Sequence, residues 1–156
     1  MKLFIAFTTI LFTFHSRIHS NELPFRYHDL FLGMDLSKFY DILKLQKFVG
    51  RDNKFVIANY HDAAVMLIFD NNNKNIFINI KKDTKDPSKT LSSELTRLKS
   101  IYGDPINSNP KILYYEFMHT QSYVLLRLKK IDSGYNHFLV FSDSRENEEY
   151  RKMKTE

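Results

Sequence analysis

The sequence contains no cysteine, and this absence excludes several kinds of chemistry. Without a thiol the chain forms no disulfide, no thiolate metal site and no cysteine nucleophile. Lipid attachment through an N-terminal cysteine, as in lipoproteins, is excluded as well. The folded protein therefore depends on its apolar core for stability, and a chain of 156 residues is long enough for one ordinary domain.

Familiar catalytic signatures are also missing. The sequence has no Gly-rich phosphate loop, no H-E-x-x-H and no G-x-S-x-G. The nearest approach is His61-Asp62 at a predicted hairpin turn, which is either a base with an orienting carboxylate or an ordinary turn pair. Glu116 and His119 are three apart on a predicted strand, so they face opposite sides and share no metal. We predict a non-enzymatic protein without metal or cofactor; the alternative is a small exported hydrolase using His61 and Asp62.

Long hydrophobic runs are limited to the N-terminus. Lys2 supplies a positive charge, residues 3–14 are apolar apart from threonines, and residues 15–20 are polar and end in Ser20. This layout is typical of a secretory signal peptide, and the run is shorter than the roughly 20 residues that span a bilayer. A buried N-terminal helix is the other interpretation. We predict a signal peptide over 1–20, a periplasmic or secreted protein without a cysteine-linked lipid anchor, and no transmembrane segment after cleavage.

The charge balance is only mildly basic. Without residues 1–20 the chain keeps all 18 acidic residues and all but two of its 23 basic residues, a net charge of +3. This favours an anionic lipid, a glycan or an acidic protein patch over nucleic acid, although plain solubility explains the same charge.

The stretch from Gly33 to Leu43 predicts a turn, an Asp35 N-cap and a short amphipathic helix. A second helix is predicted over 91–102, ending at Gly103 with Pro105 beyond it. Alternating apolar residues and turn signals predict the strands. The predicted strands are 54–60, 64–69, 76–82, 112–119, 122–131 and 137–142.

These elements predict an α+β fold. Two helix-plus-three-strand units form a largely antiparallel sheet with both helices on one face. The predicted single domain covers 21–142, and its element order suggests an internal duplication of 33–82 and 88–142. The charged tail 143–156 has no apolar stripe, which predicts a solvated helix or a frayed end.

The outer face of the second unit is the candidate binding surface. Alternation directs one set of side chains to the core and the other set away from it. The outward set pairs aromatic residues with arginine on a sheet face that no predicted helix covers, which is typical of a protein interface. In the alternative interpretation, the C-terminal tail or the lead-in covers this face. The candidate residues are Tyr114, Glu116, Tyr123, Leu125, Arg127 and Lys129.

The order of elements resembles two known families. Leu32-Gly33-Met34-Asp35 opening a helix before a three-strand meander is similar to the small envelope proteins typified by the outer-membrane assembly factor BamE. The doubled arrangement resembles the β-lactamase inhibitor protein fold. The helix end Tyr102-Gly103-Asp104-Pro105, followed by aromatic strands, is similar to the same region of many secreted bacterial proteins. The chain departs from BamE in lacking a lipidated cysteine.

We therefore predict an exported binding or scaffolding domain whose open sheet face engages a protein partner in the envelope or outside the cell. The alternative to this protein-binding role is a carrier that holds a small ligand or lipid in a cavity between the helices and the sheet.

Overall fold

The computed structural model describes residues 25–43, 48–52 and 55–155. The predicted signal peptide over 1–20 lies outside the described residues. Within the described part of the chain, none of the helices has the length and apolar character needed to cross a bilayer.

The described residues form a large antiparallel sheet, a two-stranded ribbon and three α-helices. The ribbon pairs β1 with β2, and every pairing in the large sheet is also antiparallel. In chain order the elements are β1 (Arg26–Tyr27), β2 (Leu30–Phe31), α1 (Leu36–Leu43), β3 (Phe48–Asp52), β4 (Phe55–Tyr60), β5 (Ala63–Phe69), β6 (Asn75–Thr84), α2 (Pro87–Tyr102), β7 (Asn107–Asn109), β8 (Tyr114–His119), β9 (Ser122–Ile131), β10 (Gly134–Ser142) and α3 (Glu148–Thr155).

The strand order of the large sheet is β3-β4-β5-β6-β10-β9-β8-β7. Each half is a meander that follows one helix, and the halves meet where β6 pairs with β10. The α+β prediction is confirmed, with four strands in each half because β3 and β7 extend the edges. The duplication remains a hypothesis. Alignment of the two halves by their element order places Val56 opposite Tyr114, and these two residues lie in cores on opposite faces of the sheet.

The two faces of the sheet carry two separate apolar cores. We call the face under α1 and α2 the inner face, since Phe39 of α1 and Leu98 of α2 are fully buried in its core. We call the opposite face the outer face, where Tyr150 of α3 is fully buried. Both predicted helices therefore pack on the same side, as the sequence indicates. The outer core consists of Phe77, Tyr114, Leu125, Val140 and Tyr150.

Local signals explain where the helices begin. The Asp86 side chain accepts the Lys89 amide at 2.9 Å and caps α2, with Pro87 in the first turn. At α1, the Asp35 carboxylate contacts the Lys74 ammonium at 2.8 Å. Asp35 thereby ties the start of α1 to the turn before β6, a role that the capping prediction did not include.

The charged C-terminal segment belongs to the folded domain. The sequence predicts a solvated or frayed tail over 143–156, but α3 packs on the outer face and buries Tyr150 completely. Asn147 caps this helix, because its side chain accepts the amides of Glu149 and Tyr150 at 3.1 and 3.3 Å. Packing against the sheet therefore continues beyond residue 142, to the end of α3 at Thr155.

Gly134 at the start of β10 should tolerate no side chain. Its φ is +147°, and a Cβ atom there would lie 2.9 Å from the backbone oxygen of Thr84 on β6. We expect Gly134→Ala to lower the free energy of unfolding by about 2–3 kcal/mol, since strain and overlap combine. Gly33 has φ +82° and open space around it, so Gly33→Ala should cost only about 1 kcal/mol. Equal losses in urea titrations would contradict this steric account.

Candidate functional site

The predicted binding face is covered by α3 over most of its area. Tyr114, Glu116, Leu125 and Arg127 are buried, Tyr123 is half-buried, and Lys129 is exposed. The alternation on these strands is confirmed, because Val124, Leu126 and Leu128 lie in the inner core while Leu125 lies in the outer one. The expectation that this face is open is wrong, and the alternative in which the C-terminal segment covers it holds.

Glu116 is the centre of the contact between α3 and the sheet. Its side chain is fully buried, and its carboxylate accepts hydrogen bonds from two tyrosines, Tyr150 at 3.0 Å and Tyr114 at 3.3 Å. Two cations complete the cluster, with Lys154 Nζ at 3.1 Å and an Arg145 guanidinium nitrogen at 3.3 Å. Every acceptor atom of the buried carboxylate is therefore satisfied, which a buried charge requires.

These contacts shift the pKa of Glu116 and of both tyrosines. Burial by itself would raise the pKa of Glu116, but the hydrogen bonds from Lys154 and Tyr150 and the charges of Lys154 and Arg145 outweigh it and hold this pKa below its ordinary value. Burial, together with the Glu116 charge, raises the pKa of Tyr150 and of Tyr114. At neutral pH, the ionised carboxylate of Glu116 thus accepts hydrogen bonds from neutral phenols.

Further contacts hold α3 and the residues just before it against the sheet. Arg127 donates to the Met153 carbonyl oxygen at 2.6 Å, near the C-terminal end of the helix, where a cation also complements the helix dipole. The Arg145 guanidinium lies 5.0 Å from the ring centre of Tyr123. The predicted arginine and aromatic residues thus contact the C-terminal segment of their own chain.

The outer face is less covered on its first half. Contacts from α3 reach β6, where the Asn79 amide lies 3.8 Å from the Met153 sulfur. Beyond β6, Met66 and Ile68 on β5 are half-buried, and Ile57 on β4 is 43% exposed. Ile57 pairs with Met66 in the sheet register, so these apolar side chains form one patch. We call Phe55, Ile57, Met66 and Ile68 the open patch.

A cleft of about 460 Å³ lies on the inner face between α2 and the sheet. Its floor is made where the two halves meet, since Lys82 pairs with His137 and Ile80 pairs with Leu139 across β6 and β10. The wall and rim carry charged and polar side chains from α2 and from the β1–β2 ribbon. These are Arg26, Tyr27, His28, Lys89, Thr90, Ser93, Glu94 and Arg97.

His137 is the buried polar group of the cleft. Only 5% of the residue is exposed, and its Nε2 atom is buried without a hydrogen-bond partner among the described residues. Burial lowers the pKa of His137, partly offset by the Glu94 charge, and the Lys82 and Arg97 charges lower it further. The imidazole is therefore neutral at neutral pH.

A network of rings and charges lies at one end of the cleft. The Asp62 carboxylate accepts from Lys82 Nζ, 2.8 Å away, and from the Tyr27 hydroxyl, 3.2 Å away. The His28 and His61 rings lie 4.1 Å apart between centroids. Hydrogen bonding to Lys82 is the main cause that lowers the pKa of Asp62. Burial lowers the pKa of His28, as do the neighbouring His61 and Lys82.

The network gives little support to the hydrolase interpretation. Among the described residues, the hydrogen bonds of the Asp62 carboxylate go to Lys82 and Tyr27, so this carboxylate does not orient His61. The pocket beside them holds about 250 Å³, and no serine or threonine is among its lining residues. Within the described ranges, no three His, Asp or Glu side chains are grouped so as to hold a metal ion.

Sequence reasoning missed the cleft because four separate segments build it. One signal was available: His137 alternates with Leu139 and Phe141 and so belongs to the core-facing side of β10. Comparisons with protein-family models, curated proteins and solved structures find no match to this chain. The resemblance to envelope proteins is therefore neither supported nor contradicted by a relative.

Proposed function

We propose that this protein is an exported, non-enzymatic binding domain that engages a protein partner through the open patch on its outer face. The observation that carries the proposal is the contrast between the two halves of that face. The second half is mostly covered by α3, and the only exposed large apolar side chain among its described strand residues is Met118, near the end of β8, at 42%. The first half, by contrast, leaves Ile57 43% exposed next to half-buried Met66 and Ile68. Neighbouring exposed apolar side chains on a sheet are typical of interaction surfaces.

The covered half indicates what kind of partner the open half accepts. There, one amphipathic helix turns Tyr150 and Met153, three residues apart, toward the apolar side chains of the sheet. The open patch continues the same face without a break, because β5 and β6 are paired along most of their length. We therefore assign the open patch to an amphipathic helix of the partner protein, lying beside α3.

The N-terminal sequence supports a location for this interaction outside the cytoplasm. Residues 1–20 have the layout of a signal peptide, which supports a partner in the envelope or outside the cell. Fractionation of cells that produce the protein tests this part separately. Recovery of the full-length chain from the cytoplasm alone would contradict export without affecting the assignment of the open patch.

Site-specific photo-crosslinking tests the patch in the organism that makes the protein. A photoreactive residue at position 57 should give one discrete adduct with another protein. The matched control is position 101, since Ile101 has similar exposure, 38%, on α2 at the opposite side of the sheet. Identical adducts at both positions, no adduct at 57, or an adduct only with a second copy of this chain would each contradict the proposal.

Affinity measurements then test the patch quantitatively. Ile57→Glu places a charge in the contact and should weaken binding of the purified partner by at least about tenfold. Ile101→Glu makes the same chemical change outside the patch and should alter the dissociation constant by less than about twofold. Circular dichroism of both variants shows that the fold is retained. Equal dissociation constants for the two variants would contradict the assignment.

A further inference from the structure

The inner cleft contains a buried hydrogen-bonding group, the imidazole of His137. His137 is only 5% exposed, and its Nε2 atom has no hydrogen-bond partner among the described residues. A buried nitrogen without a partner is costly, so a site of this kind favours a ligand or water that completes its hydrogen bonds. His137 lines the cleft directly.

Cations outnumber carboxylates around the same space. Four cationic side chains line the cleft, Arg26, Lys82, Lys89 and Arg97, against one carboxylate, Glu94. Arg97 pairs with Glu94 at 2.6 Å, Arg26 pairs with Asp29 at 3.3 Å, and Lys82 pairs with Asp62 at 2.8 Å. Both aspartates lie outside the lining. Lys89 forms no ion pair among the described residues. This excess of positive charge favours an anionic ligand.

The floor of the cleft also favours a ligand with an apolar part. Ile80 and Leu139 pair across the central strands directly beside the Lys82–His137 pair, so a charged end and an apolar end lie next to each other. A volume of about 460 Å³ lies within the range of small-molecule sites. A small amphipathic molecule fits both ends of this floor.

We infer that the inner cleft is a second binding site, separate from the open patch, and that it takes a small amphipathic anion. The anionic group lies near Lys82 and Arg97 and accepts a hydrogen bond from the neutral His137 imidazole. The apolar body lies on Ile80 and Leu139. Tyr27 and His28 of the ribbon also line the cleft.

Two fluorescent probes that differ only in charge test the inference. Anilinonaphthalene sulfonate is an aromatic anion, and N-phenylnaphthylamine has the same ring system without the sulfonate. Titrated into the purified protein, the anion should bind at least about tenfold more tightly than the neutral probe. Equal affinity, tighter binding of the neutral probe, or no saturable binding of the anion would overturn the proposal.

Neighbouring lysines on β6 provide the matched variants. Lys82 faces the cleft, whereas Lys81 is exposed and its position in the alternation places it on the outer face. Lys82→Gln should weaken anion binding by about tenfold and leave the neutral probe unchanged. Lys81→Gln makes the same change of charge and should leave both affinities unchanged.

Two further outcomes separate the cleft from the open patch. If Lys81→Gln and Lys82→Gln weaken the anion equally, the probe responds to net charge and the proposal fails. If Ile57→Glu abolishes probe binding, the dye occupies the open patch and the proposal also fails. Should Lys82→Gln impair folding, Arg97→Gln repeats the test with the same expected loss, since Arg97 lines the cleft from α2.

Discussion

Replacing Glu116 with alanine should lower the free energy of unfolding by about 3 kcal/mol. The substitution leaves the Tyr150 and Tyr114 hydroxyls without their acceptor and removes the anion that Lys154 and Arg145 surround. Breaking a buried ion pair from one side costs about 3–5 kcal/mol, and the lower end applies because both cations are partly exposed. Urea titration followed by circular dichroism measures the loss.

A surface carboxylate provides the control for this prediction. The Glu146 side chain is 85% exposed and lies 3.8 Å from Arg151. Exposed pairs of this kind contribute little, so Glu146→Ala should change the unfolding free energy by less than about 0.5 kcal/mol. If both variants lose the same amount, the cluster at Glu116 does not hold α3 in place.

The stabilisation that the ionised Glu116 carboxylate contributes should also be lost in acid. The pKa of Glu116 is lower in the folded protein than its ordinary value of about 4.3. The unfolded chain therefore binds the proton more readily, so the stabilisation is fully present above the ordinary value and is lost as the pH falls toward the folded pKa. We expect wild type and Glu116→Gln to differ at neutral pH and to converge on acidification. A constant difference down to about pH 3 would contradict the linkage.

Tyr150→Ala should cost about 3–4 kcal/mol, the largest effect that we expect for α3. Tyr150 is fully buried between the helix and the outer core, next to Tyr114, Leu125 and Val140. Removal of a large aromatic side chain from such a site leaves a cavity and exposes its neighbours to water. Tyr150→Phe keeps the ring and loses only the hydrogen bond to Glu116, so it should cost about 1 kcal/mol.

The matched control lies two residues away on the same helix. Lys152 is exposed, and its ion pairs within the described part of the chain are with Glu148 and Glu149 on its own helix. Lys152→Ala should therefore leave the urea midpoint essentially unchanged. The order of losses should be Tyr150→Ala, then Tyr150→Phe, then Lys152→Ala. If Tyr150→Ala unfolds no earlier than Lys152→Ala, α3 does not pack on the outer face in solution.

The sequence predicts the sheet better than it predicts what covers the sheet. Period-two alternation assigns the inner and outer sides of β8 and β9 correctly, because each strand is buried against a core on at least one face. Such a pattern is local to the strand. It says which way each side chain points, but it cannot say which distant segment lies on top.

The C-terminal helix shows this limit most clearly. Its apolar contacts come from Tyr150 and Met153, which are too few to give a visible stripe in eight residues. Lys154 looks like a solvated charge because its partner Glu116 lies 38 residues earlier in the chain. Ion pairs with distant residues thus help to hold a charged segment against the core. The spacing of residues within that segment does not predict such pairs.

The inner cleft escapes prediction for a related reason. His61 and Asp62 attract attention because they are adjacent in sequence, yet Asp62 bonds to Lys82 and Tyr27. The groups that line the cleft come from the ribbon, from α2 and from both central strands. Only His137, a histidine on the core-facing side of a strand, carries a signal in its own segment.

The pairing of β6 with β10 has a consequence for the origin of the cleft. Lys82 and Ile80 belong to the first half of the chain, whereas His137 and Leu139 belong to the second, and each pair meets only across that junction. Neither half alone possesses the floor of the cleft. If the halves descend from one ancestral unit, that unit had no such site as a monomer, and the cleft is an acquisition of the fused gene, available for selection only after two copies had joined.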